Sequence, residues 1–172
     1  MPGTYTIKLS VNGKTFSQAL TVKMDPRVKT AVKDLEVQHS LSFDAYNSKK
    51  ECMQALKEIA GIREQIKKLK PVAGKDFITM LTELDESLAK LESTPNASNE
   101  PSFGKFAGDF TAVFNVLQEN DMPPTTQAVT AAAQLHKNFA QFRNNWAEMK
   151  SKHINELNKK LQSSGLTPVS SK

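Results

Sequence analysis

Hydrophobic and polar positions change their period along this chain, and the changes divide it. Over residues 4–22 the period is two. Tyr5, Ile7, Leu9 and Val11 alternate with Thr6, Lys8 and Ser10, and Phe16, Leu20 and Val22 resume the alternation after Asn12-Gly13. An Asn-Gly pair supplies the two positive-φ positions of a type I′ turn. The pattern predicts a β-hairpin with Val11 opposite Lys14, Leu9 opposite Phe16 and Tyr5 opposite Leu20, which gathers one apolar face. A lone hairpin is marginal in water, so that face needs cover. It packs either on the rest of the chain or within a larger β-sandwich of which it is the last hairpin.

From Asp25-Pro26 the period becomes helical, and the pair itself has the form of a capped helix start with proline in the first turn. Val28, Val32, Leu35, Phe43, Tyr46, Met53, Leu56, Ile59, Ile62, Ile66 and Leu69 are expected to form one stripe, more polar where His39 and Ser42 fall. Lys67, Lys68 and Lys70 suit a helix C-terminus, and Pro71 ends it. A second helix over about 75–92 carries Phe77, Leu81, Leu84, Leu88 and Leu91. A polar loop leads to a third, from Ser102, with Phe103, Phe106, Phe110, Val113, Phe114 and Leu117. Pro123-Pro124-Thr125-Thr126 then opens the last and longest unbroken stripe: Val129, Ala132, Leu135, Phe139, Phe142, Trp146, Met149, Ile154, Leu157 and Leu161. Two long and two short amphipathic helices predict a mainly α chain, an antiparallel four-helix bundle preceded by an N-terminal β-hairpin. The divisions fall at 1–24 for the hairpin, 25–165 for the bundle and 166–172 for a flexible tail. Ala131-Ala132-Ala133 is expected to offer a shallow groove to the Phe-rich helix 103–117.

Composition narrows the function classes. The 172 residues carry a formal charge of +5, with lysines scattered among glutamates. No basic face interleaved with aromatics is present, so nucleic acid is not an expected partner. No run of about 18 apolar residues exists, which excludes a membrane-spanning helix. Met1-Pro2-Gly3 leads straight into the strand pattern without the form of a signal peptide. Cys52 is the only cysteine, so no internal disulfide can form.

Several groupings have the outline of chemistry. Glu36 and His39 have the Glu-x-x-His spacing of paired-metal bundles, but His136 and His153 follow Ala133 and Lys150, so the second pair is missing. His153, Glu156 and Glu148 can be drawn as an acid–base cluster, although the stripe through Ile154 and Leu157 sets them on a solvated flank. Cys52 lacks a histidine partner and reads as a packed thiol. Phe139, Phe142 and Trp146 could stack on a ligand, but their helical spacing favours core packing. Asn96-Ala97-Ser98 matches a glycosylation sequon, relevant only in a eukaryotic secretory protein. No catalytic, cofactor-binding or metal-binding residue is assigned.

Three stretches together carry a family resemblance. Residues 2–28, from Pro2-Gly3-Thr4-Tyr5-Thr6 through Asn12-Gly13-Lys14 to Asp25-Pro26-Arg27-Val28, resemble a junction in large secreted bacterial proteins with sortilin-like, BNR-repeat β-propellers. These proteins are often labelled glycosyl hydrolase or sialidase-like. Pro123-Pro124-Thr125-Thr126-Gln127 is similar to the start of their last helix, and Asn155 to Leu161 with Gly165-Leu166-Thr167-Pro168 to their C-terminal end. The resemblance implies a non-catalytic C-terminal module of an exported, periplasmic or extracellular parent, with upstream β-propeller and β-sandwich domains as its partners. Hydrolase chemistry would belong to the propeller, and no propeller repeat occurs here. The hairpin side bearing Thr6, Lys8 and Thr15 is the expected point of attachment. The rival expectation is a stand-alone bundle that receives a partner helix or peptide, with a homo-oligomer also open.

Overall fold

The computed structural model describes residues 2–92 and 100–170. It is mainly helical, with an N-terminal antiparallel hairpin followed by a bundle of four principal helices. Strands β1 (Gly3–Val11) and β2 (Lys14–Val22) pair in the expected register, including Leu9 opposite Phe16 and Tyr5 opposite Leu20. Asn12 and Gly13 take φ of 48° and 76°, as a type I′ turn requires.

The first helix begins later than the Asp25-Pro26 signal suggests. α1 spans Val32–Leu69, and residues 25–28 form a turn instead. The Asp25 carboxylate accepts from the Arg27 amide at 2.9 Å and from its guanidinium at 2.7 Å, while Val28 N donates to the Asp25 carbonyl. Aspartate followed by proline serves a turn as readily as a helix start, because proline's fixed φ suits both.

Helices α2 (Lys75–Glu92) and α3 (Phe103–Gln118) follow one another along α1, both antiparallel to it. Arg63 on the lower half of α1 and Lys70 just past its end pair with Asp85 of α2, whereas Gln38 and Ser42 on the upper half meet the end of α3. The last arm runs parallel to α1. It comprises α4 (Thr126–Met149), a π-helical turn at Lys150–Ile154 and α5 (Asn155–Ser163). Ser48 faces His136, Glu51 pairs with Arg143 and Glu58 with Lys150, so partners advance together along both helices. Ser102 caps α3 and Thr125 caps α4, each accepting from the amide three residues on.

The inner seam of α1 differs from the expected stripe. Its buried positions are Leu35, Gln38, Ser42, Ala45, Cys52, Ala55, Ile59, Ile62, Ile66 and Leu69. Phe43, Tyr46 and Met53 lie outside it and are 56%, 51% and 54% exposed. The upper seam is made of small and polar side chains, which lets α1 and α3 pack closely along their length.

Between α3 and α4 the contact is ring on ring. Phe106 meets Phe139 at 5.3 Å and Phe142 at 5.2 Å, and Phe103 meets Phe142 edge-on at 4.9 Å. The alanine groove does not form as expected. Ala132 is buried but Ala131 and Ala133 are exposed, because three successive residues point to three faces of a helix.

Beyond α5 the chain turns back onto the bundle as far as residue 170. Leu166 N donates to Leu161 O across Gly165, which takes φ of 72°, the pattern of a Schellman cap. Val169 is buried, its amide donates to Asn158 Oδ1, and Ser170 N donates to Gln65 Oε1.

Candidate functional site

Apart from His153 and Glu156, which line one groove, and the rings of the core, the residues singled out for chemistry lie apart from one another. Glu36 and His39 lie on the exposed side of α1, where the His39 ring stacks on Phe43 at 6.2 Å. His136 is in the α1–α3–α4 seam, 5.0 Å from the Phe110 ring, with Nδ1 3.4 Å from Ser48 Oγ. His153 is at the π turn. Among the described residues no group of three His, Cys, Asp or Glu side chains could hold a metal ion. Glu148 is exposed, and its hydrogen bond from Lys152 lowers its pKa. Cys52 is wholly buried, and desolvation pushes its thiol up to about 12. A thiol held protonated is no nucleophile. Trp146 and Phe139 are core residues, Trp146 lying edge-on to Phe103 with the Lys150 ammonium 5.0 Å from its ring. The Asn96-Ala97-Ser98 sequon lies outside the described residues.

Three surface features remain. The first is the hairpin. Every described strand residue is exposed, and Tyr5, Ile7, Leu9, Val11, Phe16, Leu20 and Val22 form one face at 40–59% exposure. Among the described residues, neither strand packs extensively on a bundle helix. Thr6, Lys8 and Thr15 lie on the opposite, polar face, where Ser10 and Thr15 share a hydroxyl hydrogen bond of 3.0 Å. The apolar face, not the expected polar one, therefore has the surface whose burial would release most free energy.

The second feature is a groove between α2 and the last arm, of about 300 Å³. Met80, Leu84, Met149 and Leu157 line it with apolar surface, and Glu83, Ser87, His153, Glu156 and Lys160 with polar groups. It sits beside the π turn. The stripe steps five residues from Met149 to Ile154, and the wider turn absorbs the extra residue, which keeps Ile154, Leu157 and Leu161 buried.

The third feature, the outer side of α1, was hidden from the sequence reading because its large apolar residues were assigned to the core. Phe43, Tyr46 and Met53 form a stripe there with Glu36, His39 and Lys50, all exposed. The signal that could have revealed it is the even three-and-four spacing of Leu35, Gln38, Ser42 and Ala45 one position away. No helix of the described residues is long and apolar enough to cross a membrane. No known protein family, curated protein or solved structure matches the chain.

Proposed function

We propose that this chain is a non-catalytic structural and interaction module, the C-terminal part of a larger exported protein. Its hairpin joins the β-structure of that parent. The observation that carries the reading is the apolar hairpin face. Seven large side chains are arranged on one side of a paired ribbon, and each is 40–59% exposed. A contiguous apolar face of this kind marks an interaction surface. A β-sheet packed against it supplies the alternating complement that such a face fits. The resemblance to BNR-repeat, sortilin-like proteins names that partner as an upstream β-sandwich or β-propeller and places the module in the periplasm or outside the cell. Any glycosyl hydrolase-like activity resides in that upstream part.

The groove beside the π turn favours a second reading, a helical protein that receives a partner helix or peptide. Methionine-containing apolar surface with a mixed-charge rim accommodates an amphipathic segment.

An antibody raised against the bundle separates the two on an immunoblot of cells and medium from the organism that makes the chain. A band several times larger than 19.0 kDa in an exported fraction is expected. A 19.0 kDa band confined to the cytoplasm overturns the module reading and turns attention to the groove.

A further inference from the structure

We propose that the outer side of α1 is a self-association seam, along which two copies of this chain pair antiparallel about a two-fold axis. Glu36, His39, Phe43, Tyr46, Lys50 and Met53 recur at alternating steps of three and four, the repeat by which one helix seats against another. They lie one position along from the buried seam of the same helix, so α1 carries two parallel seams. One is filled by α3 and, farther along, by α2 and the last arm, and among the described residues the other is open. At the centre of the open seam Phe43 and Tyr46 are each more than half exposed, with Met53 the same two turns on. Large aromatics of this kind leave on the order of 100 Å² each to bury.

The charge pattern selects the occupant and its direction. In an antiparallel pair, steps of three from one copy meet steps of three from the other. Phe43 of each copy then sits opposite Tyr46 of the other, and Glu36 sits opposite Met53 with Lys50 and Lys57 a turn to either side. Each Glu36 carboxylate so lies between two ammonium groups of the other copy. A parallel pair would instead oppose Glu36 to Glu36 and Lys50 to Lys50, which is unfavourable. Within the chain, among the described residues, Glu36, Lys50 and Lys57 form no ion pair, so all three are available. The two-fold makes the contact isologous and closed, so it stops at a dimer.

Sedimentation velocity of the 172-residue chain over a wide concentration range tests the seam. A reversible dimer is expected. Phe43→Glu is expected to raise its dissociation constant at least about tenfold, as loss of a central aromatic anchor does, with the helical circular dichroism unchanged. Glu36→Lys alone, or Lys50→Glu with Lys57→Glu, weakens the dimer, and the three changes together restore it. A chain that stays monomeric at the highest concentration overturns the seam. So does a dimer that survives Phe43→Glu but is lost with Leu9→Glu, which would assign association to the hairpin. Neither result bears on the size of the parent protein read from the immunoblot.

Discussion

At the scale of single residues, the least conspicuous side chain in α1 carries one of its more demanding contacts. Gln38 is buried, and its carboxamide donates to the Leu117 carbonyl and, at 2.6 Å, to that of Asn120. The last carbonyls of a helix have no intrahelical donor, so this amide closes the end of α3. Gln38→Leu keeps the volume but strands two acceptors, and is expected to cost about 1–3 kcal/mol. A urea midpoint that falls at unchanged slope is the expected signature; an unmoved midpoint would mean water serves the carbonyls equally well.

Asp85 makes a second prediction. The Arg63 guanidinium holds its carboxyl below the ordinary range, with Lys70 assisting and burial opposing. A depressed carboxyl contributes stability above its unfolded pKa, about 3.9, and loses it as the pH falls through the folded value. The native chain should therefore lose stability relative to Asp85→Asn between about pH 5 and pH 2. Parallel stability curves for the two would remove the pair from consideration. Residue identity at these sites was plain in the sequence, but their roles were not. His39 and Ser42 read as polar interruptions and large Phe43 and Tyr46 as core, whereas the buried positions there are Gln38, Ser42 and Ala45.

At the scale of elements, the hairpin was the most legible, since alternation and Asn-Gly fix its register without help from the rest of the fold. The π turn was the least. Trp146 to Ile154 is eight residues, close enough to two α-turns that the stripe reads as regular. The five-residue step from Met149 is visible only once Ile154, Leu157 and Leu161 are seen to stay buried. If the turn holds one spare residue, deleting exposed Ser151 should convert it to ordinary α-helix and leave the seam aligned. Inserting an alanine after Ser151 should instead rotate Leu157 and Leu161 toward solvent, at a cost of at least about 2 kcal/mol, as for other buried leucine losses. Thermal melts of the two variants decide it. Equal losses in both would mean that the turn is not an absorbed insertion.

At the scale of the whole molecule, four helical periods and one alternating period announced a bundle with a hairpin. What they could not announce is that α2 and α3 share one arm, because that depends on where their ends meet α1. The same contacts separate the energetics of the two parts. The bundle is closed by Arg63–Asp85, Gln38 at the end of α3, the Phe cluster and Val169, and none of these involves residues 3–22. The linker is held by Thr30 Oγ1, which donates to the Asp121 carbonyl and so also belongs to the bundle side. Removing residues 1–23 is therefore expected to shift the melting temperature by less than about 2 °C, the change that goes with a few tenths of a kcal/mol in a chain of this size. A calorimetric scan of the shortened chain beside the full one gives the answer. A fall of 5 °C or more would mean that the hairpin lies on the bundle and already has its cover. An unmoved transition leaves the seven apolar side chains of the hairpin as surface that contributes nothing to this chain's own stability, and only an outside partner could make them contribute.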